Sequence, residues 1–114
     1  MEKKLRLKSN RDFRKTYDKG KSFANKYLVI FFVKNRLDNN RVGIAVTKKL
    51  GNSVIRNKIR RRIREAYRLN SYKVKQGYDI VFLSRVGAKE VGYKELESAV
   101  LHLLKLAGLI KKGD

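Results

Sequence analysis

The sequence predicts an α+β domain in which helices pack on a single mixed sheet, in the order α-β-β-(β)-α-β-α. Segments whose apolar residues alternate with the period of a strand are separated by segments whose apolar residues recur with the period of a helix. Proline is absent, so glycine provides the chain breaks. The 114 residues, of which 42% are hydrophobic, suit one modest core, and we assign residues 1–114 to a single domain.

The first half of the chain predicts a short helix followed by strands. Ser9 and Asp12 match a capping box that begins the helix, and Gly20 ends it. Residues 22–33 predict one long strand, or two in succession, that is apolar on both faces and therefore covered on both sides. After a polar loop, residues 41–47 predict a second strand, which we expect to pair antiparallel with the first.

The second half predicts a long helix, a strand and a final helix. Ser53 is the expected N-cap of a helix over residues 54–69, and isoleucines form its apolar stripe. Residues 78–84 predict a strand. A last amphipathic helix is expected over residues 93–107, with Gly108 ending it.

Charge dominates the composition, with 30 lysines and arginines against 10 acidic residues and a formal net charge of +20. Such a chain attracts polyanions, namely nucleic acid or an anionic membrane surface. Cysteine is absent, which excludes disulfides, thiolate zinc sites and cysteine nucleophiles. We see neither a signal peptide nor an apolar run long enough to span a bilayer, so the sequence predicts a cytoplasmic protein.

The densest positive charge lies in residues 48–68, which hold nine basic residues and one acid, Glu65. The predicted helix is apolar on one side and cationic on the other, and arginine forks bind phosphates with two parallel hydrogen bonds. Repelling charges four residues apart destabilise a helix, which favours a bound polyanion over a merely solvated face. Asn57 either holds a neighbouring arginine or a ribose hydroxyl, or only makes a local helix or loop hydrogen bond. The predicted RNA-binding residues are Lys48, Lys49, Arg56, Asn57, Lys58, Arg60, Arg61, Arg64 and Arg68.

This segment resembles a known family signature. The stretch KKLGNSVIRNKIRRRIREAYR, residues 48–68, is similar to the basic Arg-Asn helix of bacterial ribonuclease P proteins. RVGIAVTKK resembles the strand before that helix, and NRDF resembles the family's N-terminal region. The likeness covers nearly the whole chain in element order and length, although Arg62 stands where a more apolar residue is expected.

The resemblance implies a fold and an activity. The fold has a left-handed β-α-β crossover, against the usual hand. The protein binds a catalytic RNA subunit, and together they remove the 5′ leader from precursor tRNA with Mg²⁺ held mainly by RNA. The protein alone is expected to be inactive, with no metal or other cofactor of its own. The basic helix lies near the RNA, and a cleft between the first helix and the sheet holds the single-stranded leader.

Aromatic residues suit such a cleft. Phe13 and Tyr17 share one face of the first helix, and we expect Phe32 to face them from the first long strand. Rings stack on unpaired bases with little sequence preference, as a leader of arbitrary sequence requires. Core packing is the alternative for these three residues. We assign the other aromatic residues of the strands and the basic helix mainly to the core: Tyr27, Phe31, Tyr67, Tyr78 and Phe82.

Other classes of protein fit less well. His102 is the only histidine, and no carboxylate cluster suggests a protein nuclease or metal site. No helix-turn-helix pair surrounds the basic helix, which argues against DNA, and its isoleucines are needed for the core, which argues against a membrane. The main alternative is a ribosomal or other structural RNA-binding protein without a catalytic RNA partner.

Overall fold

The computed structural model describes residues 5–113. Within that part of the chain the order is α-β-β-β-α-β-α, which confirms the predicted α+β class and the division of the long first strand. Short 3₁₀ turns follow the third strand, the second helix and the fourth strand. The elements are α1 (Asn10–Lys19), β1 (Lys21–Ala24), β2 (Leu28–Lys34), β3 (Arg41–Val46), α2 (Ser53–Asn70), β4 (Tyr78–Ser84) and α3 (Tyr93–Leu106).

The strands form one mixed sheet in the order β1-β2-β4-β3. β2 pairs antiparallel with β1 and β4, whereas β3 pairs parallel with β4. The expectation that β3 pairs with the first strand is therefore wrong, because β4 lies between them. β4 is the most completely buried strand and takes a central position, and α2 provides the long connection that a parallel pair needs. The left hand of this β3-α2-β4 crossover stays a prediction.

The core lies between the sheet and the pair α2 and α3. Leu28, Ile30 and Phe32 of β2 point into it, and β4 contributes Ile80 and Phe82. On the other face of β2, Val29, Phe31 and Val33 are only half-buried, so this strand is less completely covered than expected. The predicted stripes are confirmed, with Ile59, Ile63, Ala66 and Tyr67 buried on α2 and Leu96, Ala99, Val100, Leu103 and Leu104 buried on α3.

The helix caps differ in detail from the predictions. Ser9 caps α1, since its Oγ accepts a hydrogen bond from the Asp12 amide at 3.1 Å. The Asp12 carboxylate, however, turns to Arg41, at 3.4 Å. Asn52 rather than Ser53 caps α2, because Asn52 has an extended backbone and its Oδ1 accepts from the Ile55 amide at 3.1 Å. Ser53 is the first residue of the helix.

A short segment before α1 extends the sheet. Arg6 forms a parallel bridge with Val42, and the Leu7 amide donates to the Val42 carbonyl at 3.0 Å. Leu7 is buried by this contact. The segment therefore covers the free edge of β3, and it brings the Arg6 side chain to the same side of the molecule as α2. Sequence patterns did not predict this pairing.

Candidate RNA-binding surfaces

The nine predicted RNA-binding residues all lie on α2 or on the 3₁₀ turn that precedes it. None belongs to the core, whereas the isoleucine stripe of the same helix is packed against α3 and the sheet. Arg56, Arg60 and Arg64 are half-buried along their side chains, and the other six are exposed. We call this set the arginine face: Lys48, Lys49, Arg56, Asn57, Lys58, Arg60, Arg61, Arg64 and Arg68.

Positive charges crowd the middle of the arginine face. Burial lowers the pKa of the Arg64 guanidinium, and the neighbouring charges of Arg6 and Arg60 lower it further. Both effects disfavour the charged form, so a bound anion would relieve them. Arg6 was not among the predicted residues. The basic N-terminal segment is visible in the sequence, but only the bridge to β3 places Arg6 beside α2.

Two polar side chains organise the arginines. The Arg60 Nη1 donates to the Asn57 Oδ1 at 2.7 Å, so Asn57 holds a neighbouring arginine, which is one of its two predicted roles. Arg68 binds Glu65 through two hydrogen bonds, at 3.0 and 2.5 Å. This exposed pair raises the pKa of Arg68 and lowers that of Glu65. Glu65 therefore relieves the charge at one end of the face and leaves the series from Arg56 to Arg64 without a carboxylate partner among the described residues.

Arg62 has a separate, structural role. Its Nη1 donates to the Val91 carbonyl at 3.2 Å, and the side chain is half-buried. It thereby ties α2 to the loop that precedes α3. This contact explains why a basic residue is accepted at the edge of the apolar stripe, where the family resemblance suggested a more apolar residue.

A cleft lies between α1 and the face of the sheet opposite α2 and α3. The Tyr17 ring meets Phe31 edge to face, with 4.8 Å between centroids, and Phe13 lies 6.3 Å from Tyr17. A Cβ on Gly43 would overlap the Phe13 ring, so only glycine lets this ring pack on β3. Tyr17 is 36% exposed, and partial burial raises its pKa. We call Phe13, Tyr17 and Phe31 the aromatic cleft.

The predicted position of Phe32 is wrong. Phe32 is only 8% exposed and points to the opposite face of the sheet, where it stacks on Phe23 at 6.2 Å and lies 6.3 Å from Tyr78. Successive strand residues point to opposite faces, so Phe31, assigned mainly to the core, faces α1 instead. Both sets of alternate residues in β2 are apolar, and the sequence therefore could not show which set faces α1.

Arg41 closes one end of the cleft and was not predicted. Its guanidinium makes two hydrogen bonds to the Asp79 carboxylate, at 2.9 and 2.7 Å, and a longer contact of 3.4 Å to Asp12 on α1. The hydrogen bond to Asp79 raises the pKa of Arg41, although burial acts in the opposite direction. The network joins α1 to β3 and β4, so Arg41 serves the architecture of the cleft.

Side chains that could bind a metal ion are dispersed over residues 5–113. No group of three or more histidine, aspartate or glutamate side chains there is placed to hold a metal ion. Asp12 and Asp79, which lie at the end of the cleft, are already bound to Arg41. These residues do not fit a Mg²⁺ site. Along the same range, none of the helices combines the length and apolar character needed to cross a membrane.

A cationic helix and an aromatic cleft on a small α+β sheet define a protein that binds RNA. The family model for ribonuclease P matches residues 1–108. The chain is 51% identical over 110 residues to the ribonuclease P protein component of Alkaliphilus metalliredigens, covering 96% of this chain and 99% of that protein. It is 55% identical over 108 residues to that of Alkaliphilus oremlandii, covering 95% of each.

A solved structure gives the same result. The ribonuclease P protein of Staphylococcus aureus superposes with a TM-score of 0.87 at 38% identity, over 94% of this chain and 98% of that one. The chain therefore belongs to the ribonuclease P protein family. The resemblance noted in the sequence is confirmed.

Proposed function

We propose that this chain acts in a ribonuclease P holoenzyme by binding two RNAs, the catalytic RNA subunit and the 5′ leader of precursor tRNA. It assists endonucleolytic maturation of the tRNA 5′ end in the cytoplasm. The catalytic RNA performs the cleavage with Mg²⁺ held mainly by RNA, and this protein contributes no metal ligand. Its own residues bind, orient and restrain the RNA.

The arrangement of the two surfaces carries this proposal. α2 packs on one face of the sheet, and α1 packs on the other. The arginine face and the aromatic cleft therefore share no residue and can bind different RNA segments at the same time. A structural RNA-binding protein without a catalytic RNA partner would need the cationic surface but not the aromatic cleft.

The arginine face suits the folded RNA subunit. Guanidinium groups bind phosphate oxygens by paired hydrogen bonds, and the contact of Asn57 with Arg60 holds one fork in place. The lowered pKa of Arg64 indicates that its charge is poorly compensated within the protein. Phosphates at this position would compensate the charges of Arg60 and Arg64 together.

The aromatic cleft suits an unpaired leader. Tyr17 and Phe31 present ring surface at the opening between α1 and β2. Stacking of bases on such rings contributes about 1–3 kcal/mol per base and depends little on base identity. Leaders of different sequence can thus share one site. Arg41 links α1 to β4 beside this site through its contacts with Asp12 and Asp79.

The test is to purify the tagged protein from its native cells and sequence the bound RNA. We expect one abundant structured RNA that, mixed with this protein, cleaves the 5′ leader from precursor tRNA. Recovery of ribosomal RNA, with no stimulation of cleavage on reconstitution, would instead support a structural RNA-binding protein.

A further inference from the structure

A second aromatic and basic surface lies at the end of the sheet, on the side of α3. It is a cavity of about 420 Å³ that contains Phe32 and Tyr78 together with Lys19, Lys21 and Lys34. Val33 and Ala107 complete it. None of these residues belongs to the arginine face or the aromatic cleft. The cavity is therefore a separate site, on the face of the sheet that Phe32 occupies.

The sheet register places the rings and the lysines side by side. Lys21 of β1 pairs with Phe32 of β2, and Lys34 pairs with Tyr78 of β4. Phe23 stacks on Phe32 with an angle of 12° between the rings, and 38% of its surface is exposed on the edge strand. Phe23, Phe32 and Tyr78 thus form a row of rings beside two lysines.

The polar groups of the cavity lack protein partners in the described part of the chain. Lys19, Lys21 and Lys34 form no ion pair with a carboxylate of residues 5–113, and no acidic residue contributes to the cavity. The Tyr78 hydroxyl makes no hydrogen bond within the same range, and the Asn40 side chain accepts from the Tyr78 backbone amide rather than binding the hydroxyl. Three lysine ammonium groups and one free tyrosine hydroxyl therefore surround the rings.

Protection of a sheet edge explains only part of this pattern. Lysine on an edge strand discourages pairing with another chain, and Lys21 on β1 suits that role. Lys19, however, is on α1, and Lys34 ends β2, a strand paired on both sides. Three elements thus direct ammonium groups to one aromatic cavity.

We propose that this cavity binds a single-stranded RNA segment of one or two nucleotides, as a site additional to the two surfaces of the proposed function. The lysines bind phosphates, the rings of Tyr78 and Phe23 stack with a base, and the Tyr78 hydroxyl hydrogen-bonds to the base or ribose. The cavity volume of about 420 Å³ lies within the range of roughly 300–1,000 Å³ that is typical of small-molecule binding pockets. The lysines attract any anion, whereas the exposed Phe23 ring and the half-buried Tyr78 ring favour RNA over a simple anion.

The experiment is an NMR titration of ¹⁵N-labelled protein with hexauridylate, which resolves each surface by its own amides. We expect saturable shifts at Lys21, Phe23, Lys34 and Tyr78. The variant K19A/K21A/K34A should lose these shifts, while those near Tyr17 and Arg60 persist. The control K89A/K94A/K105A removes three lysines on and just before α3, outside the cavity. It should retain the shifts at the cavity as well as those near Tyr17 and Arg60. Y78F, which retains the ring, should weaken binding at the cavity about threefold through loss of one hydrogen bond.

Three results would overturn the proposal. The first is an absence of shifts at the cavity in a protein whose aromatic cleft and arginine face respond. The second is equal cavity binding by the two triple variants when both melt at the wild-type temperature. The third is that inorganic tripolyphosphate reproduces the shifts with equal affinity, because a plain anion site does not need the rings. None of these results bears on leader binding by the cleft, so the two proposals fail separately.

Discussion

Arg41 and Asp79 form a two-pronged ion pair, with Nε 2.9 Å from Oδ1 and Nη2 2.7 Å from Oδ2. The Asp79 side chain is only 2% exposed, and Asn35 donates to the same carboxylate at 3.0 Å. The pair joins the first residue of β3 to β4, and the contact of Arg41 with Asp12 extends it to α1. One guanidinium group thus contacts α1 and β4 at the same time, beside the aromatic cleft.

Arg41→Ala should destabilise the domain by about 3 kcal/mol, because it leaves the buried Asp79 charge without its partner. Asp12→Ala should cost at most about 1 kcal/mol, since the Asp12 contact is longer and partly exposed. Urea unfolding of the two variants and the wild type measures the difference. Equal stabilities for Arg41→Ala and Asp12→Ala would show that the buried pair does not support the fold.

Phe31 and Phe32 should respond differently to truncation. Phe32→Ala removes a ring from the core and should cost about 3 kcal/mol or more in the free energy of unfolding. Phe31→Ala opens a half-buried position and should cost clearly less, while it weakens leader binding. Chemical denaturation and leader affinity are measured on both variants. The assignment of faces to ligand and core would be contradicted if Phe31→Ala were the more destabilising change and left leader binding intact.

Tyr17→Ala should weaken binding of precursor tRNA by the reconstituted holoenzyme more than binding of mature tRNA. Removal of one stacking ring corresponds to about 1–3 kcal/mol, and only the precursor has a leader. Tyr17→Phe keeps the ring and serves as the matched control. The readout is a pair of affinity titrations, with and without the leader. If the variant lost affinity for both RNAs equally, or failed to fold, Tyr17 would be a core-packing residue rather than part of the leader site.

Binding of the catalytic RNA should depend steeply on salt. Each phosphate contact contributes a slope of about −0.7 to −0.9 in log K against log salt, so ~5 contacts predict about −4. Replacing Arg60 and Arg64 with alanine should reduce the magnitude of this slope by about 1.4 to 1.8, one phosphate contact for each arginine. Replacing Lys94 and Lys105 on α3 removes the same charge and should leave the slope nearly unchanged.

The melting temperatures of the same variants show whether a reduced salt slope reflects lost phosphate contacts or lost folding. A flat titration of the wild type would argue against phosphate contacts altogether. A collapse of the melting temperature in the Arg60 and Arg64 variant would instead make those residues structural. Retained stability with a reduced slope is the expected outcome, because their guanidinium groups lie outside the core.

The purified protein alone should not cleave precursor tRNA. Residues 5–113 bring together no carboxylate or histidine cluster for a metal, and the acids near the cleft are bound to Arg41. The assay compares cleavage in Mg²⁺ with and without the cognate RNA. Robust cleavage by the protein that survives treatment with a nuclease would overturn the assignment of chemistry to the RNA.

The sequence by itself determined the features that depend on neighbouring residues. The order of elements, strand β4, the apolar stripes of α2 and α3 and the arginine face all follow from spacings of two to four residues. The Arg-Asn signature of α2 also indicated the family, because its residues are consecutive or nearly so along the chain. These features repeat within one helix or strand, so local patterns are sufficient to predict them.

Only the tertiary structure decided which distant residues meet. β4 separates β2 from β3, and the ion pair of Arg41 and Asp79 spans 38 positions of sequence. Phe31 rather than Phe32 reaches the cleft, because both alternating sets of β2 are apolar and the packing of α2 and α3 selects one of them for the core. Strand pairing and the choice of face depend on burial summed over the whole domain, and no local spacing contains that information.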